Sequence, residues 1–541
     1  MQKKILVIVG LAIVLISAKP ISDKYFEITK GIEIYANVYK ALNSHFVDEL
    51  DPSSLMKTGI DAMTASLDPY TRYISEADVE NYRLTVDGKY DGIGARVMNM
   101  DDFVTISYFY KDSPAAKAGI QVGDQILSIN GKDMKGKKAK DVTRFMRGAP
   151  NSVIDIKVRN LADRKIRNIK VERGEIHVPN VPYYGMLDDH VGYISLTTFT
   201  KGAGKNVRSA LKALKAQNDL KGVVLDLRGN GGGLLYEAVA VCNVFVPKGE
   251  EVVFTKGKLK ESYKNYKTFA SAEDAEIPLA VLVNDRSASA SEIVSGVVQD
   301  LDRGVLIGQR TYGKGLVQNT KDVGYNSKIK MTIAKYYIPS GRCIQSVSYD
   351  HGKKKALPDS LRTAFKTSMG RTVYDGGGVL PDVVLPKAES HEMVKALRKE
   401  QMIFKFVTVN YKSLQNYCDT VNCHYDDFDA FVQFLDKEKF EYRGITESAI
   451  EQLEEKAKKE HTYEQIQGEI DHIKLTLKQM QRHLLEESKE EILRLISQDL
   501  AGRKYFAKGK TKQALRGDSE IREVISLLSD MDRYRSILKA E

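Results

Sequence analysis

The sequence predicts a multidomain α/β protein that carries a helical segment at each end. Its 541 residues exceed what one hydrophobic core supports, since domains average roughly 150 residues. Short strands separated by glycine turns occupy residues 86–160, and strands alternate with helices over residues 162–386. All 13 prolines lie at or before Pro386, and residues 387–541 follow a helical apolar period. A second helical pattern covers residues 22–85.

Composition excludes several classes of protein. Hydrophobic residues make up 42% and charged residues 28% of the chain, which excludes a disordered, collagenous or polytopic membrane protein. Lys and Arg number 82 against 72 Asp and Glu, and Trp is absent. This excess of positive charge is too dilute for a nucleic-acid surface, so we expect no nucleic-acid partner. No HExxH, paired CxxC or EF-hand pattern occurs, so we expect no metal and no cofactor.

The first eighteen residues predict export. Lys3 and Lys4 precede an apolar run over residues 5–18, which fits a secretory signal peptide and is shorter than the roughly 20 residues of a spanning helix. Because no clean cleavage site follows, a short retained anchor is the alternative, with membrane association through residues 5–18. In both cases we expect the body of the protein in the periplasm or cell envelope.

The four cysteines are too few to stabilise a chain of this size, so its domains must be held by apolar burial. Export permits disulfides, and Cys418 and Cys423 are close enough in sequence to close a small loop. Cys242 and Cys343 lie in apolar contexts and are expected to be buried free thiols.

The module over residues 86–160 carries two motifs. Gly92-Ile93-Gly94-Ala95 forms a turn whose N–H groups can converge on an anion, and SPAAKAGIQVGDQILSINGK follows at residues 113–132. Together they resemble a PDZ domain. The resemblance implies that the four residues of the first motif hold the C-terminus of an extended peptide that adds to the neighbouring strand. A β domain that only spaces its neighbours is the alternative.

A serine-rich stretch runs from a predicted strand into an apolar-periodic helix over residues 284–293. Small residues on such a turn let a hydroxyl project, and the helix N-terminus stabilises negative charge that develops nearby. Serines at such turns are typically helix caps, a role we expect of Ser287 or Ser291.

A lysine lies between two glycines at residues 313–315, just ahead of apolar residues. Burial there favours the neutral amine, which could act as a general base. A solvated loop residue or an anion contact is the alternative. If residues 314–318 are extended, Lys314 and Gln318 share a face, and the amide could orient the amine.

A glycine-rich turn follows the predicted strand Gly222–Leu227. A strand that ends in such a turn before a helix can bind phosphate. This stretch, however, has neither the lysine-threonine ending of a Walker motif nor the spacing of GxGxxG.

The stretches SASASEI (287–293), GKGLVQ (313–318) and DLRGNGG (226–232) together resemble the carboxyl-terminal processing peptidases, or tail-specific proteases. The resemblance extends from about Asp68 to Asp382. It implies an α/β protease core of the ClpP/crotonase type over residues 162–386, which needs no cofactor.

The resemblance also implies the roles of individual residues. Ser289 corresponds to the nucleophile, Lys314 to the general base and Gln318 to the residue that supports the base. The implied oxyanion donors are Ala290 together with Gly231 or Gly232. Gly231 stands where many relatives have proline, which should loosen the turn without removing a donor.

The sequence therefore predicts an exported serine endopeptidase that binds apolar protein C-termini through its PDZ domain and cleaves with a Ser-Lys dyad. A non-catalytic PDZ scaffold or chaperone of the cell envelope is the alternative function. A Ser-His-Asp triad is the alternative chemistry, although His177, His190 and His351 lie in no recognisable triad motif.

The helical ends exceed what a dyad needs. In the resembling family such extensions often mediate self-association or adaptor binding, so we expect a homo-oligomer or adaptor contact there. The alternative is that the apolar face of residues 485–496 packs within the tail itself. The mixed charges of residues 387–541 are interpreted as solvated helix faces. We therefore expect truncation after Pro386 to lower the oligomeric mass while the core keeps its fold.

Overall fold

The computed structural model describes residues 2–217, 219–350, 353–356, 358–419, 422–442 and 444–540. The chain forms two compact units. The first comprises Met1–Glu76, Gln318–Thr332 and Tyr349–Lys354, and the second comprises Ala77–Val317, Ile333–Ser348 and Lys355–Glu541.

The N-terminal segment is helical, as predicted. Its elements are α1 (Gln2–His45), α2 (Pro52–Ala65), β1 (Arg72–Ile74) and α3 (Val79–Asp87), the last of which belongs to the second unit. Helix α2 starts at Pro52 because the Asp51 carboxylate accepts the N–H of Ser53. Asp68 closes the predicted turn by accepting the N–H groups of Tyr70 and Thr71. Among the described residues, no helix has both the length and the apolar character needed to span a membrane.

A six-stranded sheet forms most of the β module of the second unit. Its elements are β2 (Lys89–Gly92), β3 (Ala95–Met100), β4 (Phe103–Phe109), α4 (Pro114–Lys117), β5 (Asp124–Ile129), β6 (Lys132–Asp133), α5 (Ala139–Met146), β7 (Val153–Asn160), β8 (Ile166–Glu172) and β9 (Gly174–His177). The strand order is β3-β4-β5-β7-β8, with β6 on β5, while β2 pairs with β9. The predicted helix Ala139–Met146 is confirmed. The sheet continues through β8, beyond residue 160, where we expected the module to end.

The α/β core follows. Its elements are β10 (Tyr183–Met186), β11 (Val191–Ser195), α6 (Ala203–Gln217), β12 (Gly222–Asp226), α7 (Leu235–Phe245), β13 (Glu251–Gly257), β14 (Lys264–Lys267), β15 (Leu279–Val283), α8 (Ala290–Asp300), β16 (Val305–Gly308), β17 (Leu316–Gly324), β18 (Ser327–Tyr337), β19 (Val347–Asp350), β20 (Lys353–Ala356), β21 (Ala364–Lys366), β22 (Thr372–Tyr374) and β23 (Val383–Val384). The central sheet has the order β10-β11-β12-β15-β16-β23. Strands β11 to β23 of this order are parallel, and β10 is antiparallel to β11. The predicted strands at 222, 279 and 305 are confirmed.

Both faces of the central sheet are buried, as parallel sheets require. Leu225 and Val281 face the cluster that contains helices α6, α7 and α8. Their sequence neighbours Val224 and Leu282 point to the opposite face and pack in a different cluster. The strands are therefore continuous apolar runs rather than alternating ones.

The C-terminal region is helical, as predicted. Its helices are α9 (Glu392–Lys399), α10 (Met402–Leu414), α11 (Phe428–Lys437), α12 (Ile445–Lys459), α13 (Tyr463–Glu487), α14 (Lys489–Leu515), α15 (Ser519–Ser529) and α16 (Met531–Leu538). Helices α9, α10, α11 and α14 share one apolar cluster. A disulfide joins Cys418 to Cys423 within this region. Of the two remaining cysteines, Cys242 is buried as expected, whereas Cys343 is only half-buried.

The last two helices pack on the central sheet. Ile521, Val524 and Leu528 are buried in the same cluster as Val224 and Leu282. Tyr534 of α16 accepts the N–H of Leu279 at 3.0 Å and donates to its carbonyl at 3.1 Å. Pro386 therefore marks a boundary in composition, while the packing of the core extends to the end of the chain.

Candidate active site

Three loops that carry the predicted chemistry follow three neighbouring strands of the central sheet. The glycine-rich loop follows β12, the serine-rich turn follows β15, and the lysine loop follows β16. These strands are parallel, so their carboxyl ends lie at one edge of the sheet. Ligands of open α/β sheets bind at this edge.

The serine-rich turn separates its three serines by exposure and bonding. Ser287 and Ser291 are 0% exposed, whereas Ser289 is half-buried. The Ser287 hydroxyl donates to the Leu227 carbonyl at 2.8 Å, and that of Ser291 donates to the Asn230 carbonyl at 2.8 Å. Both serines therefore tie the turn to the glycine-rich loop. The expectation that one of them caps the helix is wrong, because Ser289 is the N-cap residue of α8.

The backbone of Ser289 is strained. Its φ is 57° and its ψ is −112°, a conformation that L-residues rarely adopt and that costs about 1–3 kcal/mol. Tyr336 donates its phenolic hydroxyl to the Ser289 carbonyl at 3.1 Å. This geometry turns the serine out of the strand-to-helix turn, a position suited to a nucleophile.

The glycine-rich loop lies directly against this turn. A Cβ on Gly232 would come within 2.9 Å of both the Ser289 Cβ and the Ala290 nitrogen, so only glycine fits there. The Gly232 N–H donates to Asn230 Oδ1 at 2.9 Å. Within the part of the chain that the structure describes, the Gly231 N–H makes no hydrogen bond, which favours Gly231 over Gly232 as the loop's oxyanion donor.

Glu292, in the first turn of α8, joins the serine turn to the lysine loop. It is 0% exposed. Its Oε2 accepts the backbone N–H groups of Ser289 at 2.7 Å and Lys314 at 2.9 Å. Its Oε1 accepts the Thr311 hydroxyl and the Gly313 N–H, both at 2.6 Å. The four donors fix the two loops relative to each other.

Burial raises the pKa of Glu292 above its ordinary value, against the hydrogen bonds from Thr311, Lys314, Gly313 and Ser289, which lower it. Glu292 is not among the residues predicted for the site. The pattern Ser289-x-x-Glu292 is that of a capping box, in which the glutamate accepts the N-cap N–H. That signal predicts the contact to Ser289 but not the contacts to the lysine loop.

Lys314 is half-buried in an irregular segment that precedes β17, which begins at Leu316. Gln318 lies on β17 within the first compact unit, where its Nε2 donates to the Thr332 hydroxyl at 3.4 Å. Lys314 therefore lies outside the strand that carries Gln318. One extended segment that holds both residues, as considered from the sequence, is not formed. The supporting role of Gln318 stays a prediction.

Of the three histidines considered from the sequence, His190 lies away from this edge. His190 precedes β11 and contacts the Asp219 carbonyl at 3.2 Å, which places it at the amino ends of the parallel strands. His177 ends β9 and contacts Glu175 at 2.8 Å. His351 lies outside the described residues. The geometry thus gives no support to a triad built on His177 or His190.

The motif Gly92-Ile93-Gly94-Ala95 connects β2 to β3. Gly94 has φ +74°, and a Cβ there would come within 2.5 Å of the Ser113 Cβ. The carbonyls of Ile93 and Gly94 accept hydrogen bonds from Ala115 and Tyr110, which fixes the loop against the module. Ile93 packs in one buried cluster with Val142 and Met146 of α5, which attaches the loop to this helix.

Across the described part of the chain, no cluster of three or more His, Cys, Asp and Glu side chains could hold a metal ion. The groups that the sequence predicts for the site are a hydroxyl, an amine and backbone N–H groups. This set of groups is sufficient for acyl transfer through a covalent intermediate.

Three family models match the chain. The model described as peptidase family S41 matches residues 190–351, and that described as PDZ domain matches residues 105–160. A third, described as the C-terminal helical domain of a probable PDZ-protease, matches residues 393–528. The predicted order of a PDZ domain, a protease core and a helical C-terminal region is thereby confirmed.

Two curated relatives are named as serine proteases. The chain is 34% identical over 359 residues to a probable CtpA-like serine protease of Staphylococcus haemolyticus (strain JCSC1435), which covers 65% of this chain and 71% of that protein. It is 37% identical over 320 residues to a probable CtpA-like serine protease of Staphylococcus aureus (strain COL). The latter match covers 59% of this chain and spans 62% of the length of that relative.

One solved structure similar to this chain is the photosystem II D1 C-terminal processing protease. It is 25% identical to this chain, with a TM-score of 0.36. The match covers 65% of this chain and 92% of that protein.

Proposed function

The chain belongs to peptidase family S41, and from this premise we propose that it is an exported serine endopeptidase in which Ser289 is the nucleophile and Lys314 the general base. The observation that carries the proposal is the carboxylate of Glu292. Its Oε2 accepts the N–H groups of Ser289 and Lys314 at 2.7 and 2.9 Å. One acceptor thereby holds the nucleophile turn and the base loop at the carboxyl edge of the sheet.

The proposed reaction has two halves. The neutral amine of Lys314 takes the proton of the Ser289 hydroxyl, and the serine oxygen attacks the scissile carbonyl to form a tetrahedral oxyanion. The N–H groups of Ala290 and Gly231 stabilise that charge, a contribution of about 3 kcal/mol for each donor. The Lys314 ammonium then returns the proton to the leaving amine, and water hydrolyses the acyl-enzyme by the same route.

The proposed substrates are proteins with apolar C-termini. The loop Gly92–Ala95 would hold the terminal carboxylate, and the peptide would add to β3. The PDZ domain would thus select a substrate by its end while the dyad cleaves within it.

The proposed location is the periplasm or cell envelope. It is supported by the basic and apolar pattern of residues 1–18 and by the disulfide between Cys418 and Cys423, since disulfides persist in oxidising compartments. Fractionation of cells that produce the full chain, followed by N-terminal sequencing, tests this location and shows whether residues 1–18 are removed.

The proposed activity is tested with purified full-length protein and its Ser289→Ala variant. An unfolded protein with an apolar C-terminus is the substrate, and the same protein with an acidic C-terminus is the control. We expect the wild-type protein alone to cleave, with faster cleavage of the apolar form, as measured by mass spectrometry. Binding of the apolar C-terminus without cleavage by the wild-type protein would instead support a non-catalytic scaffold.

A further inference from the structure

The start of helix α15 meets two of the catalytic loops from outside the site. Asp518 caps this helix, and its Oδ1 accepts the N–H groups of Glu520 at 2.9 Å and Ile521 at 3.4 Å. Glu520 lies in the first turn, where the helix dipole favours an acidic residue. It is only 8% exposed, so the interpretation of tail charges as solvated helix faces is wrong at this position.

One oxygen of Glu520 reaches the glycine-rich loop through Arg228. This arginine follows β12 by two residues and directly precedes the loop that carries Gly231. Its Nη1 donates to Glu520 Oε2 at 2.6 Å and to Asp518 Oδ2 at 2.8 Å. Its Nε and Nη2 donate to Asp226 at 3.1 and 2.6 Å.

The guanidinium of Arg228 is thus held by carboxylates on opposite sides. Burial lowers the pKa of Arg228, but the charges of Asp226 and Asp518 raise it by more than burial lowers it. The pKa is therefore above its ordinary value, and Arg228 keeps its positive charge. Charge-assisted hydrogen bonds of this kind are roughly twice as strong as neutral ones. Two of the carboxylates come from the C-terminal region, so that region fixes where the glycine-rich loop begins.

The other oxygen of Glu520 reaches the lysine loop. Gln309 Nε2 donates to Glu520 Oε1 at 2.6 Å. Gln309 directly follows β16, and its backbone N–H donates to the Val283 carbonyl of β15 at 3.1 Å. One side chain therefore bridges the starts of the loops that carry the oxyanion donor and Lys314. Glu292, on α8 of the protease core, joins the lysine loop to the serine turn. Glu520, on α15 of the C-terminal region, joins the lysine loop to the glycine-rich loop.

We infer that Glu520 is a positioning residue for the reaction, contributed by the C-terminal helices, and that it sets the glycine-rich loop and the lysine loop through Arg228 and Gln309. The inference rests on the proposed function, since it assigns Glu520 a role in that same site. It follows that the protease core reaches full activity only when α15 is seated on it.

The packing of α15 on the central sheet does not depend on the Glu520 carboxylate. Ile521, Val524 and Leu527 are each at most 3% exposed and pack on the central sheet. Removing one charge from the first turn therefore leaves the helix docked. A change at Glu520 can act on the loops without unfolding the region.

Glu520→Gln is the test variant, because it keeps the size of the side chain and removes the negative charge that Arg228 Nη1 contacts. Glu523→Gln is the matched control on the same helix, since among the described residues the Glu523 side chain bonds only Arg533 of α16, at 2.6 Å. Both full-length variants are compared with wild type in peptide cleavage, thermal unfolding and the rate of Ser289 labelling by a fluorophosphonate. Loss of one oxyanion donor lowers kcat about 100-fold or more, so we expect its displacement in Glu520→Gln to lower kcat about tenfold.

The expected pattern is a lower kcat and slower labelling in Glu520→Gln with KM unchanged, while Glu523→Gln matches wild type. Equal kcat in Glu520→Gln and wild type would overturn the inference. If Glu520→Gln does not fold, Gln309→Ala decides the question. It removes the amide contact to Glu520, together with the longer one to the Leu385 carbonyl at 3.3 Å, and wild-type kcat in that variant would also overturn the inference. A wild-type protein that neither cleaves nor labels refutes the proposed function, and the inference falls with it.

Discussion

The backbone N–H groups of Ser289 and Lys314 donate to the same atom, Oε2 of Glu292. The two donors are separated along the chain by an entire helix and a strand, and the acceptor is fully buried. A buried carboxylate that accepts four hydrogen bonds has little freedom to move. The relative position of nucleophile and base in this protein is therefore set by a residue that does not itself take part in proton transfer.

Glu292→Gln should separate the two loops. A glutamine has one acceptor oxygen. Its NH₂ group would replace the other oxygen and face the two donors that this oxygen accepts in wild type. We expect kcat to fall about 100-fold, the scale of losing one oxyanion donor, and the free energy of unfolding to fall by about 1–3 kcal/mol. The matched control is Glu455→Gln on the exposed face of α12, which should match wild type in both measurements. Wild-type kcat in Glu292→Gln would contradict the joining role.

The stability of the protein should depend on pH through the same residue. Because the folded-state pKa of Glu292 lies above its ordinary value, the folded protein keeps this proton at pH values where the unfolded chain has lost it. The stabilisation is complete below the unfolded value of about 4.3 and is lost as the pH rises through the folded pKa. In that window wild type should lose about 1.4 kcal/mol per pH unit relative to Glu292→Gln. Urea unfolding at a series of pH values measures the difference, and parallel curves would refute the assignment.

Local patterns were enough to predict the fold of most elements. The strands at 222, 279 and 305 are apolar runs bounded by turns, and helix Ala139–Met146 has a helical apolar period, so each carries its own signal. The serine motif likewise predicted a strand-to-helix turn at Ser289, which the structure has between β15 and α8. These features depend on neighbours in sequence, which a single chain displays directly.

Contacts between distant residues could not be predicted in the same way. Glu292 and Lys314 are 22 residues apart, and Arg228 and Glu520 are 292 residues apart. A glutamate in a helical pattern has the same sequence signature whether it faces water or a buried arginine. Whether Glu520 faces water or Arg228 depends on how α15 packs on the sheet. The apolar face of α15 predicts that the helix is buried against something, but the sequence does not identify the partner.

The three serines of the turn should respond differently to alanine. We expect Ser289→Ala to abolish proteolysis while the protein keeps its fold. Ser287→Ala and Ser291→Ala each remove one hydrogen bond to a buried carbonyl, at Leu227 and Asn230 respectively, and both carbonyls keep a backbone N–H donor. Those variants should lose about 0.5–1.5 kcal/mol of stability and retain measurable cleavage. Cleavage by Ser289→Ala would exclude it as the nucleophile.

Lys314→Arg should be inactive. A guanidinium stays protonated at any pH at which the protein is folded and so cannot accept the serine proton. The backbone N–H at this position is retained in the variant, so the hydrogen bond to Glu292 and the fold should persist. Thermal unfolding provides the folding control, and peptide cleavage provides the readout. An arginine variant that cleaves at a rate near that of wild type would refute a lysine base.

Truncation after Pro386 should destabilise the core, contrary to the expectation from sequence. It removes Ile521, Val524, Leu527 and Leu528, which are buried on the central sheet. At about 1.5 kcal/mol or more for each such side chain, the loss is about 6 kcal/mol, and the uncovered sheet face should promote aggregation. Truncation after Ser529 is the graded control, because it keeps α15 and removes only α16, so its melting temperature should lie between those of the other two proteins. Light scattering on the same samples tests the predicted self-association, and a truncated core that melts like full-length protein would show that α15 and α16 are dispensable to it.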